Sequence, residues 1–98
     1  MSRPRIPRCV KFHPTITIFK PQGVPVSEIE EVTLLPEEIE ALKLSDGDGL
    51  QQAVACVQLK VSQPTFARIL ASARKKVTRA LVGGRAIRLG TTDEENCD

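Results

Sequence analysis

The chain has 98 residues, a formal net charge of +2 and three aromatic residues, all of them Phe. This length fits one small domain, whose core must consist mainly of Ile, Leu, Val and Ala. The N-terminus lacks the apolar stretch of a signal peptide, no segment approaches a membrane span, and three widely spaced cysteines do not resemble a disulfide framework. We therefore expect a cytoplasmic protein without a membrane partner.

The charges are segregated along the chain. Residues 1–20 carry only basic charges, residues 27–48 carry eight acidic charges against one Lys, and residues 50–90 carry eight basic charges and no acid. A polyanion responds to the local electric field more than to the net charge. The basic run therefore favours a nucleic-acid partner over a merely solvated surface.

The first third of the chain predicts an arm followed by short strands. Residues 1–8 are rich in Pro and Arg, which predicts an extended arm. Residues 9–12 and 15–19 are β-branched and alternate, which is typical of strands. Further along, residues 27–30 predict a short helical turn and residues 31–34 an extended segment.

Three helices are expected after this point. Pro36 and the acids that follow it suit a first helical turn, because the missing N–H costs nothing there and carboxylates favour the helix dipole. Residues 45–49 (SDGDG) predict the end of this helix, and residues 50–59 predict a second. Glycines 83 and 84 end the third, and the alternation of residues 85–89 predicts a final strand.

These elements predict an α+β fold that is mainly α. Its core would be a three-helix helix-turn-helix unit with short N-terminal strands and one C-terminal strand. Residues 1–90 would form a single domain with the basic arm and a small sheet. Residues 91–98 would form an acidic, flexible tail.

The helix-turn-helix pattern lies in residues 52–71 (QAVACVQLKVSQPTFARILA). Such a unit needs small or apolar side chains where its helices cross, and the sequence offers Ala55, Cys56, Leu59, Val61, Phe66 and Ile69. Ser62 is a suitable N-cap for the third helix, and Pro64 is tolerated only in its first turn.

The third helix separates into two faces at about 100° per residue. The packed face is predicted to contain Phe66, Ile69, Leu70, Ala73, Val77, Ala80 and Leu81. The opposite face is predicted to contain Arg68, Ser72, Lys75 and Arg79, with Thr65 and Lys76 beside them. This second face predicts a recognition helix.

Groove geometry then assigns a role to each polar residue. The major groove admits an α-helix whose N-terminal residues contact base edges. Gln63 would contact adenine and Arg68 guanine, and Ser62 and Thr65 would contact phosphate or base. Ser72, on the same outer face, is also a candidate DNA-binding residue. Further along, Lys75, Lys76 and Arg79 would contact phosphates, and Arg3 and Arg5 of the arm would enter a minor groove or follow the backbone. The predicted function is sequence-specific binding of double-stranded DNA, as in a transcriptional regulator.

Separated motifs resemble a small prokaryotic family, domain-of-unknown-function family 134, over nearly the whole span from Met1 to Leu89. They are RPR at residues 3–5, FKPQGVP at 19–25, EEIEALKL at 37–44, and S..TFARIL and SARKKV between 62 and 77. The resemblance implies a DNA-binding helix-turn-helix similar to sigma-factor region four. This family usually has glycine where Lys60 stands, which implies either a positive φ at Lys60 or a different turn.

The resemblance also marks departures from the family pattern. Basic residues are usual where Gln63 stands, a polar residue where Pro64 stands, and charged residues where Val54 and Val57 stand. These changes affect affinity and sequence preference, and they leave an apolar surface for a partner.

Two other classes of function were weighed. An enzyme is disfavoured because His13 is the only histidine and no catalytic motif is present. Cys9 and His13 offer two metal ligands where zinc takes four, so no metal and no cofactor are predicted. The alternative to DNA binding is a protein-interaction module on a helix-turn-helix scaffold, with RNA polymerase or another protein as partner. The oligomeric state stays open, and a homodimer is one option.

Overall fold

The structure is a computed structural model that describes residues 18–90. The described elements are β1 (Ile18–Phe19), β2 (Glu31–Leu34), α1 (Pro36–Leu42), α2 (Gln52–Leu59), α3 (Gln63–Gly83) and β3 (Ala86–Leu89). A 3₁₀ turn at Val26–Glu28 and a π-helical turn at Lys43–Gly47 complete the set. The predicted arm, the strand at residues 9–12 and the acidic tail lie outside the described residues.

The three described strands form one small sheet in the order β1-β3-β2. The central strand β3 is antiparallel to β1 and parallel to β2, so that Ile87 pairs with Phe19 on one side and Val32 on the other. A parallel pair requires a crossover connection, and the three helices supply it. The mainly α, α+β fold predicted from the sequence is confirmed, together with its final strand.

The first helix ends within the segment that the sequence predicted. Residues 45–49 were expected to end it, and the helical path continues from α1 through the π-helical turn and ends at Gly47. The Asp48 N–H donates to the Lys43 carbonyl at 2.7 Å, and the Lys43 ammonium pairs with the Asp48 carboxylate at 2.9 Å. These two contacts close the wider turn, which keeps Leu44 buried.

The second and third helices are joined by the three residues 60–62. Helix α2 begins two residues later than predicted, because Gln51 is extended and serves as its N-cap. Lys60 ends α2 in the left-handed region, with φ of 63° and ψ of 45°. This agrees with the positive φ that the family resemblance implied. Ser62 caps α3 and Gly84 ends it with φ of 66°, so both predicted boundaries are confirmed.

The core surrounds the inner face of α3. One cluster joins α2 to α3 and α1 through buried residues, namely Ala41, Leu44, Ala55, Cys56, Leu59, Phe66 and Leu70. A second cluster joins the sheet to α1 and α3 through Leu34, Ile39 and Ala73. The predicted inner face is confirmed except for Leu81, which is 75% exposed although its neighbour Ala80 is buried.

Candidate nucleic-acid interface

Helix α3 is held in place by its apolar inner face. Phe66 is fully buried, and Leu70 and Ala73 lie on the same side of the helix. Burying a large side chain such as Phe66 or Leu70 stabilises the fold by about 1.5–3 kcal/mol. The opposite side of α3 is therefore fixed in direction, and its charged residues face outward from a rigid support.

Four of the eight cations in residues 50–90 are neutralised by acids of the 27–48 block. Arg74 makes a two-bond contact with Asp46 at 3.0 and 2.7 Å, and Arg88 makes one with Glu31 at 2.8 and 2.8 Å. The other two pairs are Lys76–Glu38 at 2.8 Å and Arg85–Glu30 at 3.3 Å. The two oppositely charged blocks of the sequence thus partly cancel each other in the fold.

Glu38 is the centre of the most buried of these contacts. Its carboxylate is 4% exposed and accepts hydrogen bonds from the Ser72 hydroxyl at 2.6 Å, the Lys76 ammonium at 2.8 Å and the Leu35 N–H at 2.8 Å. Lys76 also donates to the Thr33 carbonyl at 3.0 Å. The contacts, called the Glu38 network below, tie the start of α1 and the strand β2 to the middle of α3.

The network determines the ionisation of Glu38. Burial opposes the charged form, but the hydrogen bonds from Lys76, Ser72 and the Leu35 N–H, with the charge of Lys76, outweigh it and lower the pKa of Glu38. A hydrogen bond from Arg74 likewise lowers the pKa of Asp46. Both carboxylates are therefore ionised at neutral pH, and the cations they hold are not free for an external anion.

Two of the predicted contact residues belong to this network. The angular pattern placed Ser72 and Lys76 on or beside the outer face of α3, but both are half-buried and bonded to Glu38. They lie on the flank of α3 that α1 covers. Helical periodicity does not show which neighbour covers a flank, so the sequence alone gave no sign of this contact.

The remaining cations of α3 form one line. Arg68, Lys75 and Arg79 are exposed, and no acid within residues 18–90 pairs with any of them. At about 100° per residue they fall within about 40° around the helix, and about 16 Å separates the first from the last along it. These three residues, called the outer stripe below, are a row of positive charges on one helix that no acid among residues 18–90 neutralises.

The leading end of α3 contains a chain of side-chain hydrogen bonds. The Ser62 hydroxyl accepts from the Thr65 N–H at 3.2 Å and donates to the Thr65 hydroxyl at 2.9 Å. The Arg68 guanidinium donates to the same Thr65 oxygen at 3.2 Å. Gln63 is exposed beside them. Ser62 and Thr65 thus cap the helix and orient Arg68. Both lie at the leading end of α3, as the sequence predicted.

Two of the predicted DNA-contact residues lie outside the described part of the chain, and the sequence did not identify one further candidate. Arg3 and Arg5 precede residue 18. Lys60, in the turn before α3, is exposed and has no acidic partner within residues 18–90, yet sequence analysis treated it only as a question of backbone strain. The signal that could have identified it was its position two residues before the N-cap Ser62, in an acid-free run.

Residues 18–90 contain neither a membrane-spanning helix nor a cluster of metal ligands. None of the helices there has the length and apolar character needed to cross a membrane. No group of three or more His, Cys, Asp or Glu side chains in the same residues is arranged to hold a metal ion.

Comparison with known proteins identifies relatives over almost the full chain. The profile of the family described as Protein of unknown function DUF134 matches residues 1–96. A UPF0251 protein of Moorella thermoacetica is 54% identical over 89 residues, which are 91% of this chain and 60% of that relative. One from Caldanaerobacter subterraneus subsp. tengcongensis is 51% identical over 89 residues, 91% of this chain and 75% of its own. One from Vibrio cholerae is 42% identical over 98 residues, the whole of both chains. No solved structure matches the chain.

Proposed function

The chain belongs to the family described as Protein of unknown function DUF134, and we propose that it binds double-stranded DNA through α3. In this proposal α2, the turn at residues 60–62 and α3 act as a helix-turn-helix similar to sigma-factor region four. The protein would serve as a sequence-specific transcriptional regulator. The observation that supports the proposal most strongly is the outer stripe, the row of exposed cations Arg68, Lys75 and Arg79 on α3.

The argument rests on which charges the fold leaves uncompensated. The acids of residues 27–48 neutralise the cations on the flanks of α3 and in β3, whereas Arg68, Lys75 and Arg79 face solvent unpaired within residues 18–90. An ordinary surface helix mixes acids with bases, because such pairs stabilise it. Within residues 18–90, three of the five cations without an acidic partner instead lie on one line of α3, which suits a polyanion.

The dimensions of α3 fit a major groove. The groove is about 12 Å wide and admits an α-helix, with base contacts made near the N-terminus of that helix. Arg68 lies near this end and is oriented by Thr65, which suits a bidentate contact to guanine, and Gln63 suits adenine. Lys75 and Arg79 lie further along, where they suit phosphates.

A protein partner is the second candidate, and one observation favours it. Val54 and Val57 on α2 are 48% and 69% exposed, so this helix presents apolar side chains to solvent. The acids of residues 27–48, by contrast, provide little negative charge for a basic partner. Four of them form ion pairs within the fold, namely Glu30, Glu31, Glu38 and Asp46. A complex formed through α2 would depend only weakly on salt.

A salt titration with duplex DNA tests the proposal. Each neutralised phosphate contributes about −0.9 to the slope of log affinity against log salt. Lys75 and Arg79 supply two such contacts, and Arg3 and Arg5 supply two more if the arm follows the backbone. The expected slope is therefore about −2 to −4, with a loss of about tenfold to a hundredfold between 50 and 200 mM salt. Fluorescence anisotropy with a pool of labelled duplexes measures it. Absence of binding at 50 mM salt would rule out the proposal.

Two single substitutions separate base contacts from phosphate contacts. Arg68→Ala should reduce discrimination between the selected site and a mismatched site by about 1–3 kcal/mol, because a bidentate base contact is lost. Lys75→Ala should weaken both sites equally and reduce the salt slope by about 1. The measurement is anisotropy with duplexes obtained by selection from random DNA. The opposite assignment of the two effects would contradict the proposed roles.

A further inference from the structure

We propose that Lys60 is a phosphate-binding residue of the turn before α3, held next to the DNA backbone by a left-handed conformation. This inference rests on the proposed function and adds to it a contact outside α3. Lys60 was not among the residues that the sequence assigned to DNA. The structure brings together three observations about it: backbone strain, exposure and the absence of a counter-charge.

The backbone at Lys60 is unfavourable for a residue with a side chain. Within residues 18–90 it is the one non-glycine residue with positive φ, at 63°. A left-handed conformation brings Cβ close to the following carbonyl oxygen, whereas glycine adopts it without this clash. Strain of this kind is concentrated at functional sites, where the surrounding structure maintains it.

The conformation is firmly maintained here. The Lys60 N–H is directed at the carbonyls of Cys56 and Val57, which closes the end of α2. On the other side, the Val61 N–H donates to the Cys56 carbonyl at 3.1 Å, and Ser62 begins the cap of α3. The turn therefore projects the Lys60 side chain from a fixed point just before the proposed recognition helix.

The charge of Lys60 is available to an external anion. The residue is exposed and pairs with no acid within residues 18–90, unlike Lys43 and Lys76, which are bound to Asp48 and Glu38. An ammonium on a flexible stem acts as a point charge with three donors and suits a single phosphate oxygen. Together with the outer stripe it makes a fourth free cation on the α2-turn-α3 unit.

A purely structural explanation also exists and makes a different prediction. A cation at the C-terminus of a helix is favoured by the helix dipole, so Lys60 could serve only to stabilise α2. That effect changes the thermal stability and leaves the affinity for DNA unaltered. A phosphate contact changes the affinity and its salt dependence.

The experiment compares Lys60→Gly, Lys60→Gln and Lys60→Arg in the full chain. Glycine removes both charge and strain, glutamine removes the charge and keeps the strain, and arginine keeps both. We expect Lys60→Gly to have a Tm about 4 °C or more above that of Lys60→Gln. Both should bind a duplex about fivefold to tenfold more weakly at 0.1 M salt, with a salt slope smaller by about 1. Lys60→Arg should stay within about twofold of wild type.

The outcomes distinguish this inference from the proposed function. If wild type does not bind duplex DNA at low salt, the proposed function itself fails. If wild type binds and Lys60→Gly binds with the same affinity and slope, the phosphate contact is refuted and the dipole explanation stands. Equal losses in Lys60→Arg and Lys60→Gly would also overturn the inference, since arginine keeps the charge.

Discussion

Replacing Glu38 with Ala should lower the free energy of unfolding by about 2–4 kcal/mol, which is a large share of the stability of a domain this small. The change removes the acceptor for the Ser72 hydroxyl, the Lys76 ammonium and the Leu35 N–H. Donors that lose their partner in a buried site retain their desolvation penalty. Urea denaturation followed by circular dichroism measures the loss.

A matched control uses an acid without a structural role in the fold. Glu28 lies in the 3₁₀ turn and is exposed, so Glu28→Ala should change the stability by less than about 0.5 kcal/mol. Glu38→Gln should fall between the two, because its amide oxygen still accepts one or two of the hydrogen bonds. A cost below about 0.5 kcal/mol for Glu38→Ala would show that the network does not hold the fold together.

The Glu38 network also gives stability a defined dependence on pH. Because folding lowers the pKa of Glu38 below its ordinary value of 4.5, the stabilisation is complete above that value. It is lost as the pH falls through the lower pKa of the folded state. Asp46 and Glu31, whose pKa values are also lowered by arginine partners, remain in the variant. The stability difference between wild type and Glu38→Gln should therefore shrink as the pH is lowered from about 5 to about 2.

The boundaries of the helices could be predicted because each depends on local chemistry. Pro36 begins α1, the Ser62 hydroxyl caps α3 and Gly84 ends it, and all three follow from the preferences of single residue types. The helical path also ends within residues 45–49, as their glycines predicted, but the sequence did not predict the π-helical turn that precedes this end. The ion pair between Lys43 and Asp48 and the burial of Leu44 favour that turn.

The candidate site could be predicted only in part, because charge pairing depends on contacts distant in sequence. The outer face of α3 followed from periodicity, but the sequence did not show that Ser72 and Lys76 serve Glu38, which lies 34 and 38 positions away. For the same reason, the sequence did not show the role of the acids in residues 27–48. Along the chain these acids form only a block of like charge, whereas in the fold four of them pair with cations of residues 50–90.

Some cations pair with acids in the fold and others do not. Two triple variants with the same net charge should therefore differ strongly in their affinity for duplex DNA. Changing Arg68, Lys75 and Arg79 to Gln takes the formal net charge from +2 to −1 and removes the outer stripe. Losing one base contact and two phosphate contacts should weaken duplex binding by about 10²–10³-fold at 0.1 M salt and reduce the salt slope by about 2. Anisotropy across a salt series measures both quantities.

The control variant changes Arg74, Arg85 and Arg88 to Gln, which gives the same net charge of −1 by removing three paired cations. These ion pairs are at the surface, where such pairs contribute little to stability, so the variant should fold. The acids they release reduce the positive field, and we expect binding to weaken by no more than about tenfold. If both triple variants lose affinity equally, binding follows net charge alone. The outer stripe would then not be a DNA-binding surface, and the proposed docking of α3 in the major groove would have to be abandoned.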